Sequence, residues 1–326
     1  MQPNDVIAVT GAAGFIGSYL TGYLNRVGFN NLILVDDFSD ESKSMNLADK
    51  KFLTKVHREQ FFQWAESHQG EINYMFHLGA RTDTTEMDYE VHKKWNLDYS
   101  KDIWHLCTAG NIPLLYASSA ATYGNGEYGY KDDHDIVSEL QPLNPYGRSK
   151  NEFDIWALEQ TNQPPFWAGV KFFNVYGPNE YHKGRMASVI LHAYNQIQNQ
   201  GRVKLFRSHN PNFKDGEQIR DFVYVQDVVK MCVWLLQTRP ASGLYNVGSG
   251  KARTFKDLVT AIFDTLNLPP HIEYIDTPED IREKYQYFTE ADMSKLRNAG
   301  YSEPFHSLET GVKEYVEDYL SKGSYF

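Results

Sequence analysis

The chain has 326 residues, of which 41% are hydrophobic, 23% charged and 14% aromatic. This composition is typical of a globular protein with a large core and excludes a disordered or fibrous chain. The formal net charge of −10 at pH 7 disfavours broad binding to nucleic acid or to anionic membranes, although a local basic pocket can still hold phosphate.

Up to about residue 175, short β-rich runs alternate with amphipathic segments. The runs predict strands at Val6–Val9, Leu32–Val35, Tyr74–His77, Leu114–Ala117 and Trp167–Phe173. The segments between them predict helices at Phe15–Val27, Arg58–Ser67, Val91–Ala109 and Tyr146–Thr161. This alternation predicts an α/β fold of the Rossmann type, in which helices cover both faces of a doubly wound parallel sheet.

From Asn174 onward the pattern loosens and predicts a smaller α/β lobe that is interleaved with the first domain. Its expected elements are a polar loop at Ser208–Gln218 and helices near Met186–Asn199, Asp227–Gln237, Thr254–Leu266 and Leu308–Tyr319. We assign residues 1–172 and 221–248 to a dinucleotide-binding domain, and residues 173–220 and 249–326 to a substrate-binding lobe.

The sequence contains neither a membrane span nor a secretory signal that we can identify. Its two cysteines, Cys107 and Cys232, lie in apolar, helix-like stretches. We therefore expect buried thiols in a reducing cytoplasm rather than disulfides. Histidines and cysteines do not occur with zinc-site spacing, so no metal is expected.

A glycine-rich loop follows the first predicted strand. Gly11, Gly14 and Gly17 are separated by two residues each and lead into an apolar helix. In this position the first glycine permits a tight turn, the second lets the backbone approach a pyrophosphate, and the third lets the helix pack on the strand. Asp36 ends the second predicted strand, where an acid can accept a hydrogen bond from an adenosine ribose. The order of these features favours a dinucleotide site over turn glycines and a surface acid.

Three residues predict proton-transfer chemistry. Tyr146 and Lys150 are four residues apart at the start of a predicted helix, so their side chains share one face. A tyrosine titrates near 10 when unperturbed, and a neighbouring ammonium favours its phenolate. Ser119 follows an apolar strand, so its hydroxyl lies at the carboxyl end of the sheet, where ligands bind in this architecture.

Together, the glycine loop, the strand-end serine and the Tyr-x-x-x-Lys pair resemble the short-chain dehydrogenase/reductase superfamily. Segments 174–178 and 220–228 resemble its extended branch, which modifies nucleotide sugars. Segments 76–86, 180–189 and 285–292 are similar to the ADP-L-glycero-D-manno-heptose 6-epimerase family. This resemblance runs from Val6 to about Tyr319.

The resemblance implies an isomerase that inverts C6 of an ADP-activated heptose used for lipopolysaccharide. It implies transient oxidation to a 6-ketone with tightly held NADP, in a cytoplasmic homo-oligomer that is often pentameric in the family. Inversion through a planar ketone needs a second acid or base facing Tyr146 across the sugar. The family's second base falls on Lys183. Spacing alone also permits Lys183 to pair with a phosphate or with Glu180.

The resemblance also implies the remaining site residues. Besides the glycines, cofactor contacts fall on Phe15, Ile16, Asp36, Asp37, Lys43, Arg58, Leu78, Gly79, Ala80, Asn96, Lys150, Val175 and Lys183. Substrate contacts fall on Asn174, Arg185, His192, Phe206, Arg207, Ser208, His209, Arg220 and Tyr285. From the residues alone, His192 fits a helix histidine equally well and Tyr285 fits simple packing, whereas Arg207 and Arg220 suit a diphosphate.

The chain departs from the family pattern at Arg81, at Arg185, at Asp37, where an amide is usual, and in the longer loop 210–219. Cofactor choice also stays open at this stage. Asp36 and Asp37 favour NAD by the ribose rule, whereas the resemblance favours NADP, with Lys43 and Arg58 around the 2′-phosphate.

Three other functions compete. A UDP-hexose 4-epimerase needs one tyrosine because its ketosugar rotates, so Lys183 would be dispensable there. A dTDP-glucose 4,6-dehydratase needs an acidic pair after the strand-end serine, but Ala120 and Ala121 occupy those positions. A catalytically silent nucleotide-binding protein is disfavoured because Ser119, Tyr146 and Lys150 are all present.

Overall fold

The computed structural model of the chain describes residues 1–282 and 286–326. Within them, seven parallel strands form a central sheet in the order β3-β2-β1-β4-β5-β6-β11. These strands are β1 (Ile7–Thr10), β2 (Leu32–Asp36), β3 (Thr54–His57), β4 (Tyr74–His77), β5 (Leu114–Ser119), β6 (Trp167–Phe172) and β11 (Gly243–Val247). The predicted doubly wound parallel sheet is confirmed, and β3 and β11 are additional to the predicted strands.

Helices cover both faces of this sheet, and others pack on one another in the C-terminal part of the chain. They are α1 (Phe15–Arg26), α2 (Phe61–Ser67), α3 (Tyr89–His92), α4 (Tyr99–Ala109), α5 (Pro145–Glu159), α6 (Val189–Gln200), α7 (Val225–Thr238), α8 (Phe255–Thr265), α9 (Glu279–Arg282), α10 (Ser294–Asn298) and α11 (Leu308–Glu314). The predicted helix Val91–Ala109 is interrupted by a wider π-helical turn at Lys93–Asp98. Of the helices described, none has both the length and the apolar character needed to cross a membrane.

The central strands are mostly apolar and almost completely buried, as expected where helices cover both faces of a parallel sheet. Ile7 and Val9 point into one hydrophobic core and Ala8 into the other, so successive residues of β1 serve opposite faces. The core that contains Ile7 continues through α1 and α7 into the C-terminal part of the chain. The core that contains Ala8 includes Trp104 of α4 and Phe153 of α5.

Three two-stranded sheets lie beyond β6. Parallel pairs join β7 (Asn174–Tyr176) with β10 (Phe222–Tyr224), and β8 (Val203–Phe206) with β13 (Ile272–Ile275). An antiparallel pair joins β9 (Ile219–Arg220) with β12 (Arg253–Thr254). Because β11 returns to the central sheet between them, the smaller lobe is interleaved with the larger one along the chain. The boundaries assigned from sequence stay a prediction.

A buried ion pair attaches α5 to the sheet. Lys171 Nζ on β6 lies 2.6 Å from Asp154 Oδ2 on α5, and both side chains are almost completely buried. Ser118 and Tyr116 of β5 donate hydrogen bonds of 2.6 and 3.0 Å to the same carboxylate. Lys171 Nζ also donates to Thr122 Oγ1 at 2.8 Å. The network fixes the helix that carries Tyr146 and Lys150.

We expect Asp154→Ala to lower the free energy of unfolding by about 3–5 kcal/mol, because the ammonium of Lys171 is left buried without its partner. Urea denaturation followed by circular dichroism measures the change. Glu317→Ala is the matched control, because it removes an exposed pair with Lys313 that is worth less than about 1 kcal/mol. Equal small losses in the two variants would contradict a structural role for the buried pair.

Candidate active site

The glycine loop forms the floor of the candidate cofactor site. Gly11 has a φ of +67°, and a Cβ there would lie 2.7 Å from Gly79 Cα, so only glycine fits this approach of two backbones. The following helix, α1, begins at Phe15; its N-cap residue, Gly14, provides no side-chain cap, and its first turn contains no acid. Its free N–H groups and its positive end are therefore available to a pyrophosphate.

A cleft of about 400 Å³ opens above this loop. It lies between β1 and β4, where the strand order reverses, which is the usual dinucleotide position in this architecture. Twelve of the predicted cofactor residues line it, namely Gly11, Gly14, Phe15, Ile16, Gly17, Asp36, Lys43, Arg58, Leu78, Gly79, Ala80 and Lys183. The uncapped helix and the glycine floor fit a nicotinamide dinucleotide.

Asp36 is held by the loop itself. Its carboxylate accepts hydrogen bonds from the N–H groups of Ala13 at 2.8 Å and Asp37 at 2.7 Å, and it lies 3.6 Å from Lys43 Nζ. The side chain of Asp37 turns to Arg58, at 3.1 Å, and hydrogen bonds from Ser39 lower the pKa of Asp37. Both acids are thus paired with cations at the edge of the cleft.

Arg58 and Asn96 differ in how they relate to the cleft. The Arg58 guanidinium lies 3.9 Å from the centroid of the Trp95 ring, and its Nε is buried without a hydrogen-bond partner among the described residues. Asn96 is fully buried. Its amide bonds the backbone N–H and C=O of Arg81 at 2.7 and 3.0 Å and Ser149 Oγ at 3.0 Å. Asn96 therefore fixes the loop after β4 and does not line the cleft.

A second cleft, of about 310 Å³, adjoins the first and holds the predicted proton-transfer residues. Ser119 reaches it from the end of β5, and Tyr146 and Lys150 reach it from the first turns of α5. Asn144 caps this helix by accepting a 2.8 Å hydrogen bond from the N–H of Gly147. The side chains of Tyr146 and Ser119 line this cleft together.

Burial shifts the pKa values of both Tyr146 and Lys150. It raises the pKa of Tyr146, and the neighbouring Ser119 side chain opposes that effect only in part. It lowers the pKa of Lys150 to about 8, although the carboxylate of Asp154 favours the ammonium. Lys150 donates a 2.9 Å hydrogen bond to the carbonyl of Ala117 and is thereby held in place. A positive charge beside Tyr146 is what would make its phenolate accessible.

Lys183 lies in a short helical turn, Tyr181–Met186, and lines both clefts. Its Nζ is 5.3 Å from the centroid of the Phe15 ring. Burial lowers the pKa of Lys183, with Glu180 opposing the shift. Among the described residues no carboxylate lies within 4.0 Å of this ammonium, the limit for an ion pair.

The carboxylate of Glu180 is already engaged elsewhere. It accepts 2.6 Å hydrogen bonds from the N–H and the hydroxyl of Ser188, and one of 3.0 Å from the hydroxyl of Tyr315. The alternative in which Lys183 merely pairs with Glu180 is therefore disfavoured.

The predicted substrate residues are more dispersed. Asn174 and the predicted cofactor residue Val175 line the cleft of Tyr146, whereas the described linings of the two clefts contain no other predicted substrate residue. Arg185 is exposed, and its carbonyl lies 3.3 Å from His192 Nε2. Tyr285 lies outside the described residues.

The others follow β8 and β9. Phe206 ends β8, exposed Arg207 lies 3.3 Å from Asp276, and Ser208 and His209 continue into the polar loop. Arg220 is buried and donates to the carbonyl of Ile219 at 2.8 Å and to that of Gln286.

Several residues that were not predicted as site residues also line the cofactor cleft, among them His182 and Thr10. His182 lines it, and burial together with Lys43 and Lys183 lowers its pKa to about 4. Thr10 also lines it, and its Oγ1 lies 2.6 Å from Nδ1 of His77 and accepts from the N–H of Gly79 at 3.1 Å. His182 precedes Lys183 directly, so the segment that suggested the base could have indicated it.

Known proteins match this chain along nearly its whole length. The model of the NAD dependent epimerase/dehydratase family matches residues 7–248. The ADP-L-glycero-D-manno-heptose-6-epimerase of Fusobacterium nucleatum is 46% identical, covering 97% of this chain and 98% of its own. That of Nitratidesulfovibrio vulgaris is 47% identical, covering 98% and 99%. The crystal structure of the Helicobacter pylori ADP-L-glycero-D-manno-heptose-6-epimerase superposes with a TM-score of 0.81 at 27% identity, covering 97% and 96%.

These matches confirm the resemblance found in the sequence, the fold and a nicotinamide dinucleotide as the cofactor. The chain belongs to the NAD dependent epimerase/dehydratase family, in the group of the ADP-L-glycero-D-manno-heptose-6-epimerases.

Proposed function

We propose that this chain inverts C6 of an ADP-activated glycero-manno-heptose through a transient 6-ketone. The observation that carries the proposal is the position of Lys183, which shares the cleft of Ser119 and Tyr146 and also borders the cofactor cleft. Two side chains that can exchange protons, Tyr146 and Lys183, thus line the same cleft. The names of relatives 46% and 47% identical support the substrate.

Each residue has a distinct part in this reaction. Tyr146 takes the proton of the sugar hydroxyl, the Ser119 hydroxyl donates to the same oxygen, and the Lys150 ammonium favours the phenolate. A bound nicotinamide dinucleotide would supply the hydride acceptor and the positive ring. Inversion requires the ketone to present its other face to the hydride donor, and turning C6 about the C5–C6 bond moves the carbonyl oxygen away from Tyr146. Lys183 gives a proton to the oxygen in this second position, and takes it back in the reverse reaction.

The competing functions fit less well. A 4-epimerase that rotates its ketosugar has no use for a half-buried cleft lysine without an ion-pair partner, and Lys183 is of that kind among the described residues. For a dehydratase, the turn after Ser119 would have to supply acids, but it holds Ala120 and Ala121. The geometry therefore favours epimerisation with two acid/base groups.

The direct test is incubation of the purified protein with ADP-D-glycero-D-manno-heptose. Proton NMR should show conversion to the L-glycero epimer at C6 until both are at equilibrium. UDP-galactose and dTDP-glucose, the substrates of the two competing enzyme functions, serve as controls. Turnover of either of these, with the heptose unchanged, would overturn the assignment.

We propose NADP as the cofactor. Lys43 and Arg58 line the cleft next to Asp36, and both acids at the end of β2 are already paired with these cations. The Arg58 side chain is 37% exposed and lines the cleft, so the open side of its guanidinium can meet an oxyanion there. Repulsion of a 2′-phosphate by Asp36 and Asp37 is thereby offset.

Lys43→Ala combined with Arg58→Ala should therefore weaken NADP binding by about 10²–10⁴-fold, because each of the two charged hydrogen bonds contributes about 1.5–3 kcal/mol. NAD binding should stay nearly unchanged. Isothermal titration calorimetry on cofactor-free protein measures both. Lys55→Ala is the control, since Lys55 is exposed on the neighbouring strand β3. Release of NAD alone from the denatured wild-type protein would mean that the acids decide the preference.

A further inference from the structure

We propose that residues 324–326 form an aromatic clamp that holds the turn carrying Lys183 against helix α1, which makes Phe326 a positioning residue for Lys183. The inference rests on the proposed role of Lys183 and adds a residue far from it in sequence. Two sets of contacts carry it, one on each side of the clamp.

The first set joins the clamp to α1, the helix whose start faces the cofactor cleft. The Phe326 ring stacks on Tyr19, with ring centroids 3.9 Å apart and an interplanar angle of 14°. It also covers Gly22, where a Cβ would come within 2.9 Å of the ring. The Arg26 guanidinium lies 4.9 Å from the ring centroid. A side chain larger than glycine at position 22 would therefore displace the clamp.

The second set joins the clamp to the segment before Lys183. The N–H of Phe326 donates to Asn179 Oδ1 at 2.9 Å, and Asn179 Nδ2 lies 3.4 Å from the Phe326 carbonyl oxygen. The same Nδ2 donates to Ser18 Oγ of α1 at 3.0 Å. Tyr181 donates to the carbonyl of Ser324 at 3.1 Å, and its ring meets that of Tyr325 edge-on at 4.9 Å.

Asn179 is suited to this junction. It is fully buried, and its φ of +76° places it in the left-handed region that asparagine tolerates better than most residues. Its amide bonds α1 and the clamp at once. The backbone carbonyl of Glu180, the next residue, accepts a 3.0 Å hydrogen bond from the N–H of Lys183. The clamp, Asn179 and the turn thus form one continuous support for the Lys183 side chain.

This support keeps Lys183 partly out of water. Its surroundings are the ring of Phe15, the carboxylate of Glu180, the imidazole of His182 and the cleft shared with Tyr146. A looser turn would admit water, and hydration of the ammonium moves the pKa of Lys183 upward toward its ordinary value. Displacement of an acid/base group by about 1 Å costs up to about 10²-fold in rate.

The test compares Phe326→Ala with the wild type. We expect kcat to fall by about 10- to 100-fold, KM to change little, and the pKa of Lys183 to rise. NMR of ¹⁵N-labelled lysine side chains, assigned with Lys183→Met, measures that pKa without turnover. Phe326→Tyr should restore both values. Tyr181→Phe, which removes a single hydrogen bond, should shift both in the same direction by a smaller amount and serves if Phe326→Ala does not fold.

Phe305→Ala is the matched control. Phe305 is also half-buried, stacks on Tyr301 at 5.9 Å and lies under the Arg297 guanidinium at 4.2 Å, but it lines neither of the two clefts. The clamp would be overturned if Phe305→Ala and Phe326→Ala had equal effects. It would also be overturned if the pKa of Lys183 in Phe326→Ala were the same as in the wild type. Loss of the proposed function would show differently, as absent heptose turnover in the wild type, while the pKa comparison still decides on the clamp.

Discussion

Tyr146→Phe is expected to lower kcat for epimerisation by about 10²–10⁴-fold, the usual contribution of a positioned acid or base. The substitution removes only the phenolic oxygen of Tyr146, which lines the proposed catalytic cleft together with Ser119. The ring stays in place, so we expect KM and cofactor content to change by less than about threefold. The rate is measured by NMR at C6 of the heptose.

The control for Tyr146→Phe is Tyr128→Phe, because Tyr128 is exposed and lines neither cleft. It should retain wild-type turnover. If Tyr146→Phe kept more than about a tenth of the wild-type rate, the proton would have to leave through another group, and the role assigned to Tyr146 would be wrong.

Much of the fold follows from local sequence patterns. The strand, glycine loop and helix from Ile7 to Arg26 form as predicted because each step has its own signal, namely apolar runs, glycine spacing and helical periodicity. Strand β3 was missed because Lys55 is exposed and Thr54 and His57 are only half-buried at the sheet edge. Edge strands lack the continuous apolar pattern that identifies central ones.

The site could be predicted where residues are neighbours in sequence or follow strands of the sheet. Ser119, Tyr146 and Lys150 meet in one cleft because a strand end and one helical turn place them there. The hydrogen bonds of the Glu180 carboxylate could not be predicted, because Ser188 and Tyr315 reach it from separate elements. The contact of Phe326 with Tyr19 could not be predicted either, because the two residues are far apart in sequence and no pattern links them.

Lys183→Met is expected to lower kcat by about 10²–10⁴-fold as well. Methionine keeps the apolar length of the side chain, including its packing near the Phe15 ring, and removes the ammonium. The proton exchange with the second epimer then has no donor or acceptor on its side of the cleft. Turnover is measured by NMR and cofactor content by absorbance, so a lower rate can be told apart from loss of the cofactor. The control is Lys322→Met, which changes an exposed lysine and should behave as wild type.

Lys183→Arg distinguishes acid/base chemistry from simple charge pairing. Arginine retains the positive charge and binds phosphate at least as well, but its guanidinium does not release a proton in proteins. If Lys183 exchanges a proton with the sugar oxygen, the arginine variant should be about as inactive as Lys183→Met. If Lys183 only holds a phosphate, the arginine variant should keep most of its activity. Near-normal turnover of both variants would instead favour a ketosugar that rotates over Tyr146 alone.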